Sequence, residues 1–151
     1  EPVLYVSDPV ADEIVSVSLP KDGTGTVRRP GNVQRFKNEA FDMPVDLAPT
    51  SPEGSHRDWS SNTTLAELSD IYVLNRGNNT ITRIKDDGTV IAARAVVLPG
   101  GESLGSAKLN GIATSPDGAK IYVTVTGTLP GRAEEGALLE LPTFTGQPGP
   151  K

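Results

Sequence analysis

The sequence predicts an all-β fold of repeated four-stranded antiparallel units, on three observations. A short run of strand character recurs three times: Leu4-Tyr5-Val6-Ser7-Asp8, Ile71-Tyr72-Val73-Leu74-Asn75 and Ile121-Tyr122-Val123-Thr124-Val125. Each run is apolar, aromatic and β-branched in that order, the composition of a strand. Turn signals recur at matching places. Helix-period patterning is nearly absent, with one short turn expected at about 64–68.

The elements follow in order. In the first two copies, Tyr5 to Ile14 and Tyr72 to Ile81 each span nine residues. Both continue to an Asp-Gly-Thr turn, at Asp22-Gly23-Thr24 and Asp87-Gly88-Thr89. Asp-Gly between strands predicts a hairpin in which both central residues take positive φ. A second block precedes the tyrosine strand. Pro49-Thr50-Ser51-Pro52-Glu53-Gly54 matches Ala113-Thr114-Ser115-Pro116-Asp117-Gly118 at an offset of 64, and Val45-Asp46 matches Leu109-Asn110 at the same offset. In Ser-Pro-Asp-Gly, proline presets φ, the aspartate bonds the backbone ahead and glycine takes the left-handed position.

One unit therefore reads as strand A, a Ser-Pro-Asp/Glu-Gly turn, strand B with its tyrosine, strand C, an Asp-Gly hairpin and strand D. The second unit is complete, with strands at about 43–50, 71–75, 80–85 and 90–98. The first lacks strand A and the third stops after strand C. Four short strands at this spacing are the pattern of a β-propeller blade. The units span about 4–36, 43–98 and 109–144, so residues 1–145 form about three blades, the first and last incomplete. Residues 146–151, Gly-Gln-Pro-Gly-Pro-Lys, read as an extended tail.

Composition narrows the function classes. The 151 residues carry 14 Lys+Arg against 19 Asp+Glu, a net charge of -5, and no basic run, which argues against nucleic acid. No cysteine is present, which excludes disulfides, thiolate zinc sites and iron–sulfur clusters within this chain. One histidine cannot build a multi-histidine metal site alone. No apolar run is long enough for a membrane span.

Gly111-Ile112-Ala113-Thr114-Ser115-Pro116-Asp117-Gly118, followed by Ile121-Tyr122-Val123-Thr124, resembles the YVTN/NHL-type propeller repeat of bacterial and archaeal extracytoplasmic proteins. Ile71-Tyr72-Val73-Leu74-Asn75-Arg76-Gly77-Asn78-Asn79-Thr80-Ile81 resembles the same family's B–C hairpin. The resemblance covers most of the chain outside 55–69 and the tail. It implies a propeller in an extracytoplasmic setting, periplasmic or secreted. Surface-layer proteins, lactonase-like enzymes and propellers docked to redox enzymes share that repeat without a common catalytic motif, so it assigns no catalytic residue.

Propellers close with about 4–8 blades. This chain is therefore expected to be a segment of a longer protein, or to complete a propeller with another polypeptide. The expected function is a non-catalytic scaffold or docking platform. The alternative is part of a propeller enzyme, lactonase-like or redox, with its haem or metal held in a partner domain. No cofactor is expected within the chain itself.

Candidate site residues follow from the loops. The resemblance places the B–C and D–A connections on the ligand-type face. That face would carry Asp8, Asp12, Glu13, Asn75, Arg76, Asn78, Asn79, Arg132, Glu134 and Glu135. Asp46 and Asn110, matched near the start of strand A, could order an ion or water at a channel mouth, or simply bond neighbouring backbone. The guanidinium of Arg76 suits a carboxylate or phosphate, although a solvated hairpin tip needs the same residues. Glu134 and Glu135 are adjacent, so in a strand they point to opposite faces and form no acid/base pair unless the loop folds to bring them together. The A–B connection takes three residues from Gly118 to Ile121 but seventeen from Gly54 to Ile71. That insertion holds His56, Arg57 and Trp59, which include the only histidine and the only tryptophan. Trp and Arg are enriched at binding hot spots, which predicts partner docking. A tryptophan plugging the lower face and a His56 metal or haem ligand completed from elsewhere are the alternatives. Arg132 lies on a second long loop, Gly127 to Gly136, as a further docking candidate.

Overall fold

The computed structural model describes residues 3–18, 31–50 and 70–144. Ten strands run in order: β1 (Val3–Asp8), β2 (Glu13–Ser18), β3 (Val33–Lys37), β4 (Pro44–Pro49), β5 (Asp70–Asn75), β6 (Thr80–Lys85), β7 (Val90–Ala95), β8 (Lys108–Thr114), β9 (Lys120–Thr128) and β10 (Glu135–Pro142). They form three antiparallel sheets, ordered β1-β2-β3, β4-β5-β6-β7 and β10-β9-β8. Three, four and three strands are the numbers expected from the repeats. Among the described residues there is no helix, and none long and apolar enough to cross a membrane.

The middle sheet is covered on both faces. Every residue of β5 is buried. Successive side chains of a strand point to opposite faces, so an unbroken apolar strand needs two apolar environments. Ile71 and Val73 pack with Tyr5, Ile14, Phe41 and Ile84 on the first-sheet side. Tyr72 and Leu74 pack with Ile81, Leu109, Ile121 and Val123 on the third-sheet side. Two cores thus share one strand.

Two turns test the turn chemistry. At Ser115-Pro116-Asp117-Gly118, Gly118 is left-handed and Asp117 Oδ1 accepts the Ala119 N–H at 3.0 Å, as the motif predicts. Its carboxyl is held below the usual aspartate range, first by the Ser115 hydroxyl at 2.6 Å. The hairpin at Asp86-Asp87-Gly88 corrects an expectation. Only Gly88 takes positive φ (86°), because a right-handed turn closed by Gly88 N–H to Lys85 O comes first. A three-residue loop of that kind needs one left-handed residue, not two. A Cβ on Gly88 would also lie 2.3 Å from the Phe36 ring. The matching turns at 22–24 and 51–54 lie outside the described residues, as do the expected turn at 64–68 and the tail.

Charged groups that enter the interior are paired. Glu13 is 2% exposed and pairs with Arg35, with Lys37 at 3.8 Å. Arg83 donates to Asp70 through Nε at 2.8 Å and to the Phe144 carbonyl, and lies over the Tyr72 ring.

Tyr5 donates its hydroxyl to Asp86 O at 3.0 Å, and burial, with Asp86 and Asp87 nearby, pushes its pKa up to about 12. The folded state thus favours the neutral phenol over the ordinary value of about 10. That stability is intact below about pH 10 and is lost as pH rises towards 12. Denaturant titrations across this range should show the decline in the wild type and a flatter profile in Tyr5→Phe; identical slopes would contradict the assignment.

Candidate functional site

At one end of the sheets, three connections are tied together: β1–β2 (9–12), β3–β4 (38–43) and β5–β6 (76–79). Asn75, at the end of β5, is fully buried and is the centre of the tie. Its Oδ1 accepts the Asp42 N–H at 3.3 Å, and its Nδ2 donates to Thr82 Oγ1 at 2.8 Å and Thr80 Oγ1 at 3.2 Å. The two hydroxyls pass their own protons on, Thr82 to Ala40 O at 3.3 Å and Thr80 to Asn78 Oδ1 at 2.6 Å. A buried amide is tolerated because its polar atoms are matched in this way.

Backbone bonds extend the tie. Arg76 N–H donates to Met43 O at 3.0 Å and Gly77 N–H to Asp42 O at 2.9 Å. Asp12 Oδ1 accepts the Met43 N–H at 2.7 Å, joining the first sheet to the second. A Cβ at Gly77 would lie 2.0 Å from Asp42 Oδ1, so any side chain there would have to displace the Asp42 carboxylate. The left-handed non-glycine residues of the described structure, Asp12, Met43 and Asn79, all stand here. Asp and Asn visit that region readily, whereas Met43 is held there against its preference. Strain of this kind persists only where the surroundings over-determine it. Asn79 Oδ1 is buried with no hydrogen-bond partner.

The expected site residues now sort themselves. Asn75 is consumed by the tie and offers no atom to a ligand. Asp8 closes its own loop, accepting the N–H groups of Val10 and Ala11 at 3.0 Å. The Arg76 side chain is half-buried and makes no side-chain hydrogen bond among the described residues, so it is a cationic group of this end, as is the exposed Lys37 at the end of β3. Arg132 and Glu134, on the β9–β10 connection, and Glu135, the first residue of β10, are exposed, and no hydrogen bond of the tie reaches them. His56, Arg57 and Trp59, with their insertion, lie outside the described residues.

Asp46 and Asn110 do not share a place. Asp46 pairs opposite Leu74 in β5, and Gly111 pairs opposite Thr124 in β9. Asn110 is instead the extra residue of a bulge in β8, matching Val45 in the bulge of β4. The strands thus match at an offset of 65, not 64. Thr50 N–H donates to Asp70 O as Ser115 N–H donates to Lys120 O, which repeats that offset at the strand ends. The Thr-Ser-Pro match aligns the turns, but ladder pairing sets the register, and one residue reverses the face. Asp46 therefore straps two sheets: its Oδ2 accepts the Ile112 N–H at 2.9 Å and its Oδ1 the Leu47 N–H at 2.9 Å. Asn110 is exposed.

Sequence reasoning missed Asp42, Met43 and the Asp70–Arg83–Phe144 group. Polar Asx residues close both β1 and β5, at Asp8 and Asn75, and that coincidence was a usable signal. Nothing local marks Asp42, whose partners come from β5 and its turn.

No family model and no curated protein matches this sequence. Among solved structures, the crystal structure of a functionally unknown protein from Desulfotomaculum acetoxidans DSM 771 is similar, with a TM-score of 0.52 at 18% identity. The match covers 82% of this chain and 32% of that one, so this chain spans about a third of its length. At that identity the likeness concerns the fold alone.

Two substitutions test the site. Asn75→Ala orphans the Asp42 N–H and should cost about 1–3 kcal/mol of unfolding free energy. Asp46→Ala should cost a similar amount by freeing the Ile112 N–H, while Asn110→Ala stays within about 0.5 kcal/mol. Equal losses for Asp46 and Asn110 would argue against the strap.

Proposed function

We propose that this chain is a non-catalytic scaffold or docking segment whose three sheets act as consecutive β-propeller blades in an extracytoplasmic protein or complex. The observation that carries this reading is the outward face of the first sheet. Leu4, Val17 and Val33 stand side by side across the strands, and Val6 faces Val15. Leu4 is 49% exposed, Val6 44% and Val33 53%, so this apolar face has no cover among the described residues. The middle sheet, of the same type, is covered on both sides. A contiguous apolar face of this kind marks an interaction surface, and a further sheet supplies the cover that the middle sheet already has. The covering sheet belongs either to other blades of the same protein or to another polypeptide. The repeat resemblance at Ile71–Ile81 and Gly111–Thr124 supports the extracytoplasmic setting.

The tied loop end suits docking, because a surface with fixed backbone loses little freedom on binding. Arg76 is a cationic contact there, and Arg132 a second on the neighbouring connection.

Sedimentation of the isolated chain tests the reading. The wild type should self-associate with concentration through the apolar face, and Val6→Lys should shift it towards monomer with its melting temperature retained. A wild type that is a monodisperse, cooperatively melting monomer would sink the proposal.

A further inference from the structure

A groove of about 400 Å³ opens between the outer part of the middle sheet and the third sheet. Its walls include Ile81 and Val96 on one side and Ile121, Leu141 and Phe144 on the other, with Arg94 the charged member of the lining. That volume lies in the range of small-ligand sites, about 300–1,000 Å³.

The two arginines near Phe144 differ in what they have left to give. Arg83 is paired with Asp70 and donates to the Phe144 carbonyl. Arg94 lies over the Phe144 ring at 5.7 Å and has no ion pair or hydrogen bond among the described residues. A guanidinium within about 6 Å of a ring centroid is attracted by the ring and keeps its N–H donors for another partner. An apolar slot with one cation that has no ion pair among the described residues calls for a ligand with an apolar body and one negative head. A planar carboxylate matches the guanidinium fork.

We propose that this groove binds a short aliphatic carboxylate, its chain against the partly exposed Leu141 and Phe144 and its head on Arg94. The assignment does not depend on the scaffold reading.

Octanoate, with octan-1-ol as the uncharged control, tests it by amide chemical shifts of the whole chain. Octanoate should shift Ile81, Val96 and Leu141 saturably and bind about tenfold more tightly than the alcohol. Arg94→Gln, at an exposed position, should keep the melting temperature and reduce octanoate to the alcohol's affinity. The proposal is overturned if octanoate gives no saturable shifts, or if Arg94→Gln binds it as tightly as the wild type. It is also overturned if the same amides shift with protein concentration alone, which would make the groove a contact between copies of the chain.

Discussion

Burial of β5 on both faces is the constraint from which the rest of the arrangement follows. Its six residues have no exposed side chain. One set, Ile71 and Val73, can be buried only if the first sheet lies against the second. The other, Tyr72 and Leu74, needs the third sheet. The order of the three sheets is thereby imposed by one short segment. The polar residues at the strand's ends extend the same logic. Asp70 is matched by Arg83 and Asn75 by Asp42, Thr80 and Thr82, so the strand is sealed at both ends without an unpaired charge.

Much of this was legible in the sequence, because it depends on local pattern. Three tyrosine strands, a Ser-Pro-Asp-Gly turn and an Asp-Gly hairpin give the number of sheets and the strands in each. What was not legible depends on pairing between distant residues. The offset between β4 and β8 differs by one from the best match of letters, because ladder contacts and two bulges decide it. The turn at Asp86-Asp87-Gly88 has the predicted residues in another geometry, since loop length selects turn type. Asp42 and Met43 acquire their roles through Asn75, Arg76 and Asp12, which lie up to about thirty residues away.

The two ends of β5 spend their polar atoms differently. At the Asn75 end they hold three connections together, and the half-buried Arg76 side chain makes no hydrogen bond among the described residues. At the Asp70 end they hold Arg83, which also donates to the Phe144 carbonyl. Arg94 stands opposite Ile81, nearer the Asn75 end, and has no ion pair among the described residues. Tyr72 links the two regimes: burial raises its pKa while Arg83 opposes that shift, so the phenol stays neutral beside a cation.

Asp46 has a consequence for how the units melt. A stack of repeated sheets behaves as a one-dimensional array, in which each unit has its own stability and a coupling to its neighbours. Apolar contact alone lets such an array fray from either end. A carboxylate in β4 that accepts a backbone N–H of β8 resists this at one boundary, because opening it gives up a hydrogen bond to a charged group as well as apolar contact. The second and third sheets therefore act as a single cooperative block in amide exchange, while at the first sheet the Asp12–Met43 bond lies at the exposed rim.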